Sequence, residues 1–218
     1  MKTKRSVFDI CGTLYKSNTT FDFLDYYLRA NKVYRIYKIV STTILWKVLN
    51  KITKYLVKCD ITRMIAILFI KGHTKQELLD AADSFFKREL KLKENKYIIE
   101  SFHRLNSNKE NQVIIASATL DFIAQTIARH LNCKTYFSTT LSYEDGICKG
   151  TIVNDLLGRK VRFLNRYKSF ENVYTDDISD CSLLELAENK YLVVYPKTFN
   201  KWKKIVKKNH WNAIFINI

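Results

Sequence analysis

The feature that most constrains the fold is an alternation of strand and helix patterns that is broken once. Ser6–Phe8 is a short strand-like run ending at Asp9, with Cys11-Gly12-Thr13 beyond it as a glycine turn. Gln112–Ala116 is a second run, ending at Ser117, and Asn172–Thr175 is a third, ending at Asp176. Tyr191–Tyr195 is a fourth, stopped by Pro196, and Thr135–Phe137 reads as a short fifth. Helical patterns occupy Phe122–Leu131, Arg159–Tyr167, Leu183–Asn189 and Lys201–Asn209. Strands alternating with helices predict an α/β fold, a Rossmann-like parallel sheet with helices on both faces.

The break runs from about Asn18 to Lys109, which reads as almost entirely helical. Ile36, Ile39, Val40, Ile44, Val48, Ile52 and Leu56 recur at threes and fours, and Lys38, Lys47, Lys51, Lys54 and Lys58 share the segment. Asp60 or Thr62 starts a further helix ending near Gly72. Thr74, with Glu77 three residues later, has the capping-box pattern. The expected division is an α/β core of residues 1–17 and 110–218, with an all-helical insertion of residues 18–109.

Charge narrows the partners. Lysine plus arginine is 37 and aspartate plus glutamate 21 in 218 residues, a net charge of +16. Such a chain attracts anions: phosphorylated small molecules, nucleic acid or an acidic membrane surface. One proline and five glycines exclude collagen-like and low-complexity classes. Cys11, Cys59, Cys133, Cys148 and Cys181 include no C-x-x-C pair, and the odd count fits free thiols in a reducing compartment. Met1–Tyr15 lacks the apolar stretch of a secretory signal, and no run approaches the roughly 20 apolar residues of a spanning helix. The expectation is a basic, cytoplasmic protein. His73, His103, His130 and His210 form no spaced pair.

In open α/β sheets ligands bind outside the carboxyl ends of the strands. Those ends carry Asp9, Ser117, Asp176 and Asp177, and Lys160 follows Gly158 on the helix before the third long strand. Carboxylates suit Mg²⁺, which binds one or two of them together with a phosphate. A lysine and main-chain N–H groups near Gly12 would balance phosphate charge. The set points to phosphoryl chemistry.

Phe8-Asp9-Ile10-Cys11-Gly12-Thr13-Leu14 resembles the first motif, D-x-D-G-T-L, of the haloacid dehalogenase superfamily. Ile115-Ala116-Ser117-Ala118-Thr119 resembles its second motif, Gly158-Arg159-Lys160-Val161 its third, and Tyr174-Thr175-Asp176-Asp177-Ile178-Ser179-Asp180 its fourth. Gly146 to Gly150 followed by Lys160 is similar to the phosphoserine phosphatase-like subfamily. The motifs stand in the family's order over essentially the whole chain. The resemblance implies a Mg²⁺-dependent phosphomonoester hydrolase with Asp9 as nucleophile, forming an aspartyl-phosphate. It implies that Gly12 and Thr13 wrap the phosphate, that Ser117 bonds a phosphate oxygen with Ala118 also in the phosphate site, and that Lys160 binds the phosphate and neutralises charge. Asp9, Asp176 and the main-chain carbonyl of Cys11 would bind Mg²⁺. Asp177 and Asp180 would support the metal shell or position Lys160. For Asp180 the other reading is a helix N-cap.

Cys11 departs from the pattern, since family phosphatases carry a second aspartate there as general acid and base, work that contributes about 10²–10⁴-fold. Three readings follow: a slow phosphatase or one with a good leaving group, an acid supplied from elsewhere such as the insertion, or lost hydrolysis with phosphate binding or phosphotransfer kept. A fourth is that Cys11 is a small half-buried residue without a role.

The insertion resembles the helical cap that sets substrate choice in this superfamily. Tyr26, Tyr27, Tyr34, Tyr37, Trp46 and Tyr55 mingle there with Arg29, Lys32, Arg35, Lys38 and Lys47. One reading is a surface for a lipid-like or membrane-bound phosphate, with peripheral membrane contact. The favoured one is an ordinary bundle with aromatics as core and lysines solvated. The expected substrate is a small phosphorylated molecule. Nucleic acid is not expected, because no recognition motif stands out and the basic run Lys197–Lys208 reads as one face of a helix.

Overall fold

The computed structural model describes residues 4–56 and 60–218. Lys58 and Cys59, named above, lie outside the described residues. Seven strands form one sheet: β1 (Lys4–Phe8), β2 (Asn111–Leu120), β3 (Thr135–Glu144), β4 (Ile147–Asn154), β5 (Phe170–Thr175), β6 (Ala187–Val194) and β7 (Ala213–Asn217). Their order is β4-β3-β2-β1-β5-β6-β7. All neighbours pair in parallel except the β3–β4 hairpin. The Rossmann-like α/β fold is as expected from the alternation.

The central strands are buried on both faces because their apolar residues run without a polar alternate. Phe8, Ile115, Tyr174 and Val193 feed one apolar cluster. Val7, Ile114, Ala116, Val173 and Leu192 feed another. The first face carries α5 (Lys75–Phe85), α6 (Lys96–Ser107) and α7 (Asp121–His130). The second carries the short α8 (Lys160–Phe163) and α9 (Cys181–Glu185), and α10 (Pro196–Lys208), whose Trp202 is fully buried. Phe8, Tyr174 and Tyr191 stack across β1, β5 and β6 at centroid spacings of 4.2 Å, and Phe102 of α6 meets Phe8 edge-on at 5.1 Å.

Residues 18–109 are helical throughout most of their described length. Besides α5 and α6 they form α1 (Thr19–Tyr27), α2 (Lys32–Thr42), α3 (Ile44–Leu56) and α4 (Ile61–Leu68), with a π-helical turn at Phe86–Leu90 and a 3₁₀ turn at Lys91–Lys93. Asp60 caps α4 by accepting from Arg63 N, and Thr74 and Glu77 close the capping box of α5. The apolar period from Ile36 to Leu56 is cut at Thr43, where the backbone turns extended. One apolar cluster runs unbroken from the sheet face into this stretch, through Phe23, Leu24, Ile67, Leu78 and Phe85.

Two strands escaped the sequence reading, β4 and β7. Two helices are shorter than expected: α8 stops at Phe163 rather than Tyr167, and α9 stops at Glu185 because Ala187–Asn189 already belongs to β6. Cys11, Cys133, Cys148 and Cys181 form no disulfide.

Candidate active site

β1 ends at Phe8, and Asp9 continues its register by donating its N–H to Tyr174 O at 3.0 Å. Its carboxylate accepts from Ile10 N at 2.7 Å and meets Lys160 Nζ at 2.9 Å. Lys160 also donates to Asp180 Oδ2 at 2.6 Å, and Thr175 Oγ1 donates to the same oxygen at 2.6 Å. Asp9, Lys160 and Asp180 are all buried.

Burial alone would lower the Lys160 pKa, but Asp180 and Asp9 outweigh it and hold the ammonium charged. The Asp9 carboxyl is raised to about 6 by desolvation, against the pull of Lys160 and a Ser117 hydrogen bond. Asp176 is pushed up to about 8 by desolvation and by the charges of Asp9 and Asp177. Lys160 thus sits between two buried acids, Asp9 and Asp180, and the half-buried Asp176 feels the charges of both Asp9 and Lys160.

Gly12 makes that approach feasible. It has φ +65°, and a Cβ there would lie 2.1 Å from Asp176 Oδ2. Thr13 Oγ1 donates to Asp176 Oδ1 at 3.3 Å, and buried Trp202 donates from Nε1 to Asp176 O at 3.2 Å. The acid is therefore held from both sides.

The sites chosen from sequence divide as follows. Asp9, Cys11, Gly12, Ser117, Ala118, Lys160, Asp176 and Asp177 line one cavity of about 1030 Å³. Thr13 and Asp180 stand outside its lining. The N–H groups of Gly12 and Thr13 are engaged inside the loop, with Ser17 O at 3.2 Å and Ile10 O at 3.3 Å, and so shape it. Asp177 Oδ1 accepts from Ser179 N at 2.8 Å and caps the 3₁₀ turn Ile178–Asp180. Asp180 begins α9 but makes no side-chain cap bond, and its carboxylate holds Lys160 instead.

Cys11 is part of a chain of small polar groups. Its Sγ lies 3.1 Å from Thr19 Oγ1 and 3.3 Å from Thr119 Oγ1. Those hydroxyls are 2.8 Å apart, and Thr119 Oγ1 is 3.0 Å from Ser117 Oγ. Desolvation and the Asp9 charge raise the thiol pKa, so it stays neutral at pH 7.

Sequence reading missed three contributors. Arg63 of α4, buried, donates to Asp155 Oδ1 at 2.7 Å and to Ala118 O at 2.5 Å, and so brings a guanidinium from the insertion to the second motif. Tyr195 donates to Gly12 O at 2.9 Å, bracing the first loop from across the cavity, and burial pushes its hydroxyl up to about 12. Thr19 completes the thiol's surroundings. Nothing in one sequence marks these three, which are brought to the site by packing alone.

The donor set fits Mg²⁺. No cluster of three or more His, Cys, Asp or Glu side chains is placed to hold a metal among the described residues. The available set is the paired carboxylates of Asp9 and Asp176 with main-chain oxygens of the first loop, hard donors that leave room for water and phosphate. Burial raises both carboxyls, and at Asp176 the neighbouring charges of Asp9 and Asp177 add to the rise, a repulsion that a bound cation would relieve.

The chain is similar over its whole length to solved structures of this fold. It resembles a protein of unknown function from Bordetella pertussis Tohama I at 18% identity and a TM-score of 0.73, covering 98% of this chain and 99% of that one. A phosphoserine phosphatase in apo form matches at 16% identity and a TM-score of 0.57, covering 98% and 94%. Cytosolic 5'-nucleotidase IIIB bound to cytidine matches at 13% identity and a TM-score of 0.59, covering 99% and 80%. No curated protein matches in sequence. A family model described as haloacid dehalogenase-like hydrolase matches residues 6–185. That span takes in all four motifs and every residue of the Asp9–Lys160–Asp180 triad, and the chain belongs to the haloacid dehalogenase-like hydrolase family.

Proposed function

We propose that this hydrolase is a Mg²⁺-dependent phosphatase that cleaves a small phosphomonoester through an aspartyl-phosphate on Asp9. The observation that carries the reading is the buried Asp9–Lys160–Asp180 triad, whose Asp9 and Lys160 line one cavity together with Asp176. Lys160 orients Asp9 and keeps it ionised for attack at phosphorus, while Asp180 and Thr175 fix the lysine. Ser117, which lines the cavity, would donate to a phosphate oxygen. Asp9, Asp176 and the Cys11 carbonyl would hold Mg²⁺, which when bound neutralises charge on the phosphoryl group. Residues 18–109 act as the cap, reaching the cavity through Lys54, Asp60 and Arg63. The substrate is a small phosphorylated molecule, the protein works in the cytoplasm, and nucleic acid is not a partner.

The neutral thiol of Cys11 cannot replace a carboxylate as acid or base, so leaving-group departure is unassisted. Esters with good leaving groups, such as aryl phosphates, are the expected substrates in vitro. The alternative, phosphate binding or phosphotransfer without hydrolysis, rests on the same thiol. Steady-state hydrolysis of p-nitrophenyl phosphate and of an alkyl phosphate separates them. The native protein is expected to turn over the aryl ester with Mg²⁺, and Asp9→Asn to abolish it. Cys11→Asp is expected to raise alkyl ester hydrolysis by about 10²-fold or more. A native protein silent on both esters, with both gained in Cys11→Asp, supports the alternative.

A further inference from the structure

The hairpin of α2 and α3 is turned inside out. A surface helix normally buries its apolar stripe and shows polar residues to water. In α3 the half-buried side is Trp46, Asn50 and Thr53. Trp46 Nε1 donates to Thr62 Oγ1 at 2.9 Å, and Asn50 meets Asp60 Oδ1 and Thr62 N, each at 3.3 Å. The opposite side carries Leu45, Val48, Leu49, Ile52 and Leu56, spaced as one helical stripe and all exposed, Leu45 to 81% and Leu56 to 72%. No residue of α3 is buried. α2 repeats the pattern: Tyr34 and Tyr37 turn inward, and Val33, Ile36 and Ile39 face out. Of the aromatics expected as core, Tyr34 is buried and Tyr37 and Trp46 are half-buried, but Tyr55 is exposed with the aliphatic residues.

Charge accompanies the stripe. Residues 26–59 contain eight lysines and arginines and no aspartate or glutamate, half the net charge of the chain. Lys47, Lys51 and Lys54 line the stripe at helical spacing. Lys54 pairs with Asp60 at 3.8 Å, while Lys47 and Lys51 make no ion pair among the described residues. An exposed aliphatic stripe of this extent marks an interaction surface.

We propose that the α2–α3 hairpin docks the protein on an anionic bilayer surface, aliphatic stripe in the acyl boundary and lysines among the headgroups. Basic flanks around an apolar stripe match that environment. A second copy would set eight cations against eight. Nucleic acid would find few stacking surfaces, since among the aromatics of α2 and α3 only Tyr55 points outward. α3, with 13 residues, is about 20 Å long, and no described helix is long and apolar enough to cross a membrane, so the hairpin lies along the surface. Lys54 also lines the catalytic cavity, so docking would bring the cavity mouth to the bilayer. The docking claim does not depend on the chemistry at Asp9.

The test is co-sedimentation of the full chain with phosphatidylcholine vesicles, with and without about 30 mol% phosphatidylglycerol, at about 0.1 M and about 0.5 M salt. The native protein is expected to bind the anionic vesicles at low salt and to release as salt rises. Leu45→Glu/Val48→Glu/Ile52→Glu, at exposed positions, is expected to weaken binding by roughly tenfold or more, with an unchanged circular dichroism spectrum. Lys47→Gln/Lys51→Gln is expected to weaken it too. Failure of the native protein to bind, equal binding to neutral vesicles, or full binding by the apolar triple variant would each overturn the proposal. So would light scattering that shows a dimer abolished by the triple variant, with no vesicle binding.

Discussion

At Asp9 and its neighbours, each ionisable group depends on the next. Lys160 compensates two buried acids, so its removal leaves both without a counter-charge. Lys160→Met is expected to cost about 3–5 kcal/mol in urea denaturation, the range for breaking a buried pair from one side. Gly12 sets a second dependence, because an added Cβ would occupy the place of the Asp176 carboxylate. Gly12→Ala is expected to cost about 1–3 kcal/mol and to weaken Mg²⁺ binding, read by titration calorimetry without any substrate. That Asp9, Gly12, Ser117, Lys160 and Asp176 would meet around one cavity was legible, because each stands at a strand end or beside a glycine turn with local signals. Arg63, Thr19 and Tyr195 were not. Arg63 lies more than fifty residues before Ala118, and no periodicity links an α4 position to a β2 carbonyl.

Between elements, turn chemistry was the signal most underused. Asp145 and Gly146 both have positive φ, and they join β3 to β4 as an antiparallel pair. An Asp-Gly between strand-forming runs announces such a hairpin. The short α8 and α9 were overrun because little more than one turn of helix carries too few apolar positions to set an end. By contrast the Thr74–Glu77 box was readable, since its two bonds are local. α5 and α7 are clasped by Asp83, which meets Lys87 and Arg129 at 2.6 Å and His130 at 2.7 Å. Lys87, then His130 and Arg129, hold its carboxyl at about 2, below the ordinary 3.8. A depressed folded pKa means the ion contributes stability above about pH 4, and that the contribution fades as pH falls toward 2. Asp83→Asn is expected to cost about 0.5–1 kcal/mol at pH 7, in keeping with a partly exposed cluster. The difference from native should vanish near pH 2 in thermal unfolding.

For the whole molecule, the net charge of +16 acts at long range. The cavity wall itself is nearly balanced, Lys16, Lys54, Arg63, Lys160, Lys197 and Lys201 against Asp9, Asp22, Asp60, Asp176 and Asp177, so the chain's overall charge is what draws an anionic substrate in. kcat/KM for a phosphomonoester is expected to fall several-fold between about 0.05 and 0.5 M salt, with kcat little changed. The helical character of the stretch between β1 and β2 was legible. Which way its helices would face was not, because the period from Ile36 to Leu56 suits a buried stripe and an exposed one equally. Only the polar inward contacts of Trp46 and Asn50 decide it. The most direct measurement is acid quenching during turnover of p-nitrophenyl phosphate with Mg²⁺, followed by peptide mass spectrometry. The expected result is one phosphoryl group on the peptide containing Asp9, labile to hydroxylamine and absent from Asp9→Asn. Phosphate released at native rates by Asp9→Asn, or a phosphoryl group carried by another residue, would contradict the assignment of Asp9 as nucleophile.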